Sequence, residues 1–435
     1  MLPLYHARMT SAVENRRQME SLDRAALERH QVSRLNALLD QILPQNRFYA
    51  EKLAGIRRPI RSLGEMREWN FTFKQGLISR HEGPDRAANL TWPVDRYSRF
   101  HQTSGTRGRP MVVLDLASDW PWWLDCWQYV LDAAEIVPGD RVMFAFSFGP
   151  FVGFWSAFDA VIARGCLTIP SGGMSTRSRL DLLCRSEATV LFCTPSYALH
   201  LAEVAEVQQL DVGKLGVRVL VLAGESGGSI PAIRTRLETT WQAVVIDHAG
   251  ASEVGPWGYG YARGGGMYIN EAEFIAEFLS IETGEAAKAG ELSELVLTTL
   301  GRAGAPVIRY RTGDLVRPNW SHSGSNRFVF LDGGVVGRAD DMLIIRGVNI
   351  FPSAIDQILR SFPEVVEYRA TARTLSAMDF LVVEVEDRLE QPQRIADELQ
   401  LRLGLRVEVQ CVPLGSLPRF EGKGRRLVDE RVRRA

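Results

Sequence analysis

The chain has 435 residues, beyond the size at which one hydrophobic core keeps growing, so two or more domains are expected. Its 51 basic and 52 acidic residues nearly cancel, which removes the electrostatic case for nucleic acid or an anionic membrane as partner. Cys126, Cys166, Cys184, Cys193 and Cys411 form no CxxC pair and lie near no histidine cluster, so they support neither a disulfide framework nor a cysteine zinc site and fit a reducing cytoplasm.

The N-terminus, MLPLYHARMTSAVENRRQ, has no apolar core of signal-peptide length, so secretion is not expected. Residues 12–55 read as helical, with Leu22, Leu27, Val32, Leu35, Leu38 and Leu39 at helical spacing and Pro44 and Asn46 marking the end. From there to about residue 100, Pro59, Pro84 and Pro93 break any long element. Between 110 and 250 β-like runs at Met111–Leu114, Arg141–Phe146, Thr189–Cys193 and Val217–Ala223 alternate with helical patterns, which predicts a parallel, helix-covered sheet. Ligands of such sheets bind at the carboxyl ends of the strands. The apolar run Val142–Ala163 is long enough to be weighed as a membrane span, but Gly149, Pro150 and Asp159 make a buried strand, a glycine turn and a packed helix the reading.

Residues 268–332 turn strand-rich, at Phe274–Leu279, Glu294–Thr299 and Phe328–Leu331, and predict an antiparallel subdomain. A polar hinge follows at Gly337, Arg338, Asp340 and Asp341, then the apolar run Met342–Ile345. The tail reads as a small α+β unit: helix Ser353–Ser361, strands near Glu367–Thr371 and Phe380–Glu386, helix Gln393–Leu403 and strand Arg406–Cys411. The fold class is thus α/β, with a large N-terminal domain (1–338) of helix-covered, mostly parallel sheet plus a β-rich subdomain, and a small mobile α+β domain (339–435).

Five segments carry chemistry. HQTSGTRGRP (101–110) offers glycine-freed amides and the hydroxyls of Thr103, Ser104 and Thr106 as a cradle for phosphate oxygens, without the GK[ST] of a Walker loop; a plain surface turn is the alternative. GESGG (224–228) is a literal GxSxG between a strand and a helix, which keeps open a serine hydrolase with Ser226 as nucleophile. Such an enzyme needs a base and acid drawn from His248, His322, Asp247 and Asp314. DHAGASEVGPWGYG (247–260) reads as a small-residue loop in which Glu253 is either a Mg2+ ligand beside bound phosphate or a solvated acid. In RYRTGDL, Asp314 is either a ribose-binding carboxylate or a turn aspartate, and in LPRFEGKGRR, Lys423 lies between two glycines of a basic tail.

Taken in order, TSGTRG, GES, HAGASE, YRTGD, GRADD and EGKG resemble the core motifs of the adenylate-forming acyl-CoA ligase superfamily. The phenylacetate-CoA ligase family is the best match, through ALLDQILPQNRFYAEKLAG near the N-terminus and the hinge GRADDMLIIRGVNIFPSAI. The resemblance implies activation of a carboxylic acid by ATP to an acyl adenylate, with release of pyrophosphate, then transfer to coenzyme A with release of AMP. A non-CoA acceptor and a non-catalytic nucleotide-binding relative are the alternatives within the fold.

Carried over motif by motif, Thr103, Ser104, Gly105 and Thr106 would hold phosphates. Gly224, Glu225, Ser226, Asp247, His248 and Ala249 would line the adenine. Glu253 would bind Mg2+, Asp314 the ribose, and Arg338 would face the nucleotide. Lys423 would bridge the carboxylate and the α-phosphate, Asp340 would be the pivot, and Gly347 would line the thiol tunnel. Arg109 stands where relatives carry a loop lysine, and Ala249 where many carry an aromatic residue. Tyr261, Tyr268 and Ser321–Ser323 replace the cysteines and histidine of a structural metal site, so no zinc is expected. Rings at Trp122, Trp123, Trp127, Phe146, Phe148, Phe151, Phe154, Trp155 and Trp257, with Gly149, suggest an acyl pocket for an aryl or other apolar acid. Many relatives are dimers, so a homodimer is expected as well.

Overall fold

The computed structural model describes residues 2–78, 87–103, 110–321, 324–346, 348–375, 378–420 and 426–431. Helices α1 (Leu2–Glu20), α2 (Arg24–Ile42), α3 (Arg47–Lys52) and α4 (Lys74–Leu77) open the chain. The helical stretch expected to run through Leu22 is broken there, because Asp23 Oδ1 accepts from Ala26 N at 2.7 Å and caps a new helix. Asn46 caps α3 in the same way, through Tyr49 N at 3.0 Å. The apolar face of α2, with Leu35, Leu38 and Leu39, packs against Ile275, Leu300 and Ile308 of the body.

β1 (Arg99–Gln102) and β2 (Val112–Asp115) form an antiparallel hairpin apart from the main sheet. The run Met111–Leu114, expected in the parallel sheet, belongs here instead: the short link from Gln102 to Val112 suits a hairpin, whereas a parallel crossover needs a dozen or more residues. α5 (Trp120–Ala133), β3 (Arg141–Phe144), α6 (Val152–Ala163), β4 (Leu167–Pro170), α7 (Thr176–Arg185), β5 (Val190–Cys193), α8 (Pro195–Val207), β6 (Val219–Leu222), α9 (Pro231–Trp241) and β7 (Val244–Ala251) then build the parallel half of the main sheet, in the order β4-β3-β5-β6-β7. The apolar run 142–163 is therefore a strand, a turn and a packed helix, and no described helix is long and apolar enough to cross a membrane.

β8 (Gly255–Gly260) and β9 (Gly266–Ile269) extend this sheet in antiparallel fashion beyond β7. β10 (Phe274–Ser280), β11 (Ser293–Thr299) and β12 (Tyr310–Val316) form a second, antiparallel sheet. β13 (Pro318–Asn319) and β14 (Phe330–Asp332) return to the main sheet through β9, which corrects the assignment of Phe328–Leu331 to the antiparallel subdomain. β15 (Gly337–Arg338) closes the second sheet against β12.

The remaining residues build their own core around Ile345, Ile355, Leu359, Val383 and Leu399. A hairpin of β16 (Leu343–Ile345) and β17 (Val348–Ile350) leads into α10 (Pro352–Arg360), β18 (Val365–Leu375), β19 (Met378–Asp387), α11 (Pro392–Leu403), β20 (Glu408–Cys411) and β21 (Leu427–Asp429). β18 and β19 pair antiparallel, and β20 and β21 flank them in parallel.

Candidate active site

The carboxyl ends of β5, β6 and β7 lie side by side, with Cys193, Leu222 and Asp247 in register. Thr194 caps α8 through Tyr197 N at 3.2 Å, and Glu225, just beyond β6, accepts from Ser196 N at 2.7 Å. Its carboxylate thus sits at the positive end of α8. Glycine is required beside it: a Cβ on Gly227 would lie 2.5 Å from Pro195, and one on Gly228 2.7 Å from Asp247.

Asp247 to Ala251, expected in a loop, are the end of β7, and His248 to Ala251 pair with β8. The small residues serve close packing there; a Cβ on Gly260 would meet the Asp247 backbone at 2.9 Å. Asp247 is buried, accepts from Ser229 Oγ at 2.6 Å and His248 N at 3.0 Å, and burial pushes its carboxyl up to about 6. His248 lies 4.1 Å from Trp127, centroid to centroid, and burial lowers it to about 4. Its Nδ1 is 2.8 Å from the Gly258 carbonyl, which can only accept, so Nδ1 carries the proton of the neutral ring. Ala249 packs partly buried against the core.

Glu253, in the turn between β7 and β8, accepts from Tyr310 Oη at 2.8 Å and Lys74 Nζ at 3.2 Å. Burial opposes its charge, but Lys74, its own backbone amide and Tyr310 together hold the carboxyl below its ordinary value. Its turn is fixed from beneath: Arg302 donates to Ser252 O at 3.0 Å and to Asp115 Oδ1 at 2.7 Å, and Trp123 Nε1 reaches the same carboxylate at 3.0 Å. The side chains of Arg302 and Asp115 are 0% exposed, so the pair joins the β1–β2 hairpin, α5 and the Glu253 turn in the dry interior. Lys74, Tyr310, Arg302 and Asp115 went unseen in the sequence. Tyr310, four residues before Asp314, is the one a strand reading of YRTGD could have found.

Asp314, for which a turn aspartate was one of the two readings, lies inside β12, where Gly313 at φ +77° makes an irregularity. It is in register with Arg338 of β15, whose Nη1 donates to Asp314 at 2.9 Å and whose Nε donates to Asp340 at 3.0 Å. Asp314, Arg338 and Asp340 therefore form one cluster where the body meets the small domain. Thr103 is buried, and its Oγ1 accepts from Met111 N at 3.0 Å. Ser104, Gly105, Thr106, Arg109, Gly347 and Lys423 lie outside the described residues.

The aromatic residues divide into two groups. Trp122, Trp123, Phe146 and Trp257 are buried core. Phe148 is half-buried at the end of β3, with Trp155 and Phe158 at 5.0 and 5.3 Å, while Trp155 Nε1 donates to Gly149 O at 2.9 Å. Tyr261 and Tyr268 pack at 5.8 Å and both contact Phe330, an aromatic cluster where relatives were expected to hold a metal.

Ser226 does not have the geometry of a nucleophile elbow. Its backbone is not among the left-handed residues, and the nearby histidine is committed to Trp127 and Gly258. The small domain closes over it instead. Asp356, Arg360 and Arg426 face Pro195, Ser196, Glu225 and Ser226 across a crevice of about 10 Å3, space for a single water.

Comparison with known proteins agrees with this layout. Residues 347–431 match the family model described as AMP-binding enzyme C-terminal domain. The phenylacetate-coenzyme A ligase of Pseudomonas putida is 30% identical over 434 residues, covering 95% of this chain and 96% of that protein. The crystal structure of 2-hydroxyisobutyryl-CoA ligase in the postadenylation state with 2-HIB-AMP is 26% identical, covers 95% of this chain and 91% of its own, and superposes with a TM-score of 0.88. The same ligase with 2-HIB-AMP and CoA in the thioesterification state covers 95% and 92%, with 27% identity, but scores 0.71. At nearly equal identity and coverage, the chain superposes more closely on the postadenylation-state structure than on the thioesterification-state one.

Proposed function

The chain belongs to the phenylacetate-coenzyme A ligase family, and from that premise we propose that it activates an aryl or other apolar carboxylic acid with ATP and transfers the acyl group to coenzyme A. What supports this reading is Glu225 just beyond β6, Glu253 in the turn after β7 and Asp314 held by Arg338 where the small domain begins, in a chain that superposes on the postadenylation-state ligase with a TM-score of 0.88.

In the first half-reaction a carboxylate oxygen attacks the α-phosphorus of ATP and pyrophosphate leaves, giving an acyl adenylate. In the second, the thiol of coenzyme A adds to the acyl carbon, AMP leaves with the bonding pair, and the thiol proton passes to solvent. Activation replaces a poor oxide leaving group with a phosphate monoester. The loop from Thr103 through Ser104, Gly105 and Thr106 would cradle the phosphates, and Asp314, oriented by Arg338, would accept from the ribose hydroxyls. Gly224 to Ser226 and Asp247 to Ala249 would border the base. Lys423 would place positive charge where it develops in the adenylation transition state.

A Mg2+ ion would be held by Glu253, whose buried carboxylate is kept ionised by Lys74 and Tyr310 on Oε1, with phosphate oxygens and water as the remaining ligands. Such an ion supplies charge neutralisation on the phosphates when bound. The aromatic cluster of Tyr261, Tyr268 and Phe330 supports a protein without zinc at that place. Phe148, Trp155 and Phe158 support the apolar acid class. Residues 1–338 would be the body and 339–435 the lid, turning about Asp340 between half-reactions, with Gly347 reaching the thiol channel in the second pose.

A panel of aryl and aliphatic carboxylates, assayed with ATP, Mg2+ and coenzyme A, tests this reading. Thioester, AMP and pyrophosphate in equal amounts with an aryl acid are expected. Pyrophosphate release without thioester would move the acceptor away from coenzyme A, and no acid-dependent release would overturn the proposal.

A further inference from the structure

α8 links the site to the small domain. Its first turn carries Ser196, bonded to Glu225, and its last turns carry Glu203 and Glu206. Arg419 Nε donates to Glu203 at 3.3 Å, Arg388 to Glu206 at 3.0 Å, and from α9 Arg236 donates to the Val365 carbonyl at 3.0 Å. The other two guanidinium nitrogens of Arg419 fork onto Glu386, at 3.0 and 2.7 Å. Glu386 stands opposite Glu367 in the β18–β19 register, and Arg426 forks onto Glu367 at 2.6 and 2.9 Å. Like charges directly opposed across a strand pair are destabilising, so the two carboxylates need both arginines in place.

Arg419 and Arg426 bracket residues 421–425, the segment that contains Lys423. The Arg426 guanidinium lies 5.5 Å from the ring of Phe420, so the described residues that flank that segment lie side by side. One end is also tied, through Arg419 and Glu203, to the body. A rotation of the small domain away from α8 would break that tie. The side chains of Arg419 and Glu203 are each 22% exposed, in keeping with a contact that can be made and broken.

We propose that Arg419 is a positioning residue for the adenylation half-reaction, fixing the base of the Lys423 segment through Glu386 and biasing the small domain toward this pose through Glu203. The inference rests on the reading of Lys423 given above. A contact present in one pose and absent in the other shifts the balance by its own strength and no more.

Glu203→Gln removes the charge on the body while leaving the Arg419–Glu386 fork intact. Acid-dependent ATP–pyrophosphate exchange should fall by roughly two- to fivefold, the range for a partly exposed pair, while thioester formation from preformed acyl adenylate is unchanged or faster. The denaturation midpoint should not move. Exchange by the unaltered enzyme should weaken with added salt, and that sensitivity should shrink in the variant. Arg419→Lys, which keeps charge but cannot fork, should lose more exchange than Glu203→Gln. Lys423→Ala, assayed in parallel, separates the two claims. If it spares exchange, the lysine reading fails; if it abolishes exchange while Glu203→Gln alters neither half-reaction or both equally, the positioning role of Arg419 is overturned.

Discussion

The carboxyl edge of the main sheet and the seam between body and small domain are built in opposite ways. At the edge, Asp115–Arg302 is sealed from solvent, glycines are forced by contacts under 3 Å, and each acid has a fixed partner. At the seam, Arg388–Glu206 and Arg338–Asp340 are exposed ion pairs between flexible side chains. Buried pairs are costly to break from one side, and exposed pairs contribute little. A fixed binding surface and a replaceable docking surface are what a two-pose enzyme needs.

The contrast can be broken first at its rigid end. Arg302→Met strands the Asp115 carboxylate in the interior and should cost about 3–5 kcal/mol in chemical denaturation, with the Glu253 turn released as well. Equal stability of variant and parent would show that the pair is not a strut. Next, Glu253→Gln keeps size but loses charge; adenylation should fall by about tenfold or more and half-maximal rate should require more Mg2+, read from pyrophosphate release over a Mg2+ titration.

Acid should weaken the rigid region. His101 and His248 are both lowered to about 4 by burial, so the native state binds fewer protons than the unfolded chain between about pH 4 and 6.5. Their contribution is full above 6.5 and is lost as pH falls toward 4. Asp247, raised to about 6, works the other way, since its burial cost is relieved on acidification, but two histidines outweigh one carboxyl. Among the described residues His101 has no hydrogen-bond partner on either ring nitrogen, so His101→Phe should remove its share, about 1–3 kcal/mol, and flatten the pH dependence of the urea midpoint. At the seam the smallest effect is expected: Arg388→Ala should change stability by less than about 1 kcal/mol, and the swap Glu206→Arg with Arg388→Glu should restore what either change loses.

Much of the site was legible because its motifs are contiguous: GES and HAGASE fall at the ends of β6 and β7, and YRTGD falls within β12. The hairpin character of 247–260 and the strand character of 310–316 were missed, because small residues that allow close packing resemble those that form loops. The partners of Glu253 were illegible for another reason. Lys74 lies far in sequence both from Glu253 and from Tyr310 and the supporting Arg302, and no local spacing records their meeting. β4 escaped notice as a short edge strand whose Leu167 faces solvent, and β21 because it joins the small sheet from the very end of the tail.

The central claim is that binding surface and adenylation lysine sit on two bodies that part between half-reactions. It is tested most directly by comparing the two half-reactions in Lys423→Ala. The account predicts a loss of about a hundred- to a thousandfold in acid-dependent pyrophosphate exchange, with thioester formation from preformed acyl adenylate near that of the parent. Equal loss in both half-reactions would contradict it.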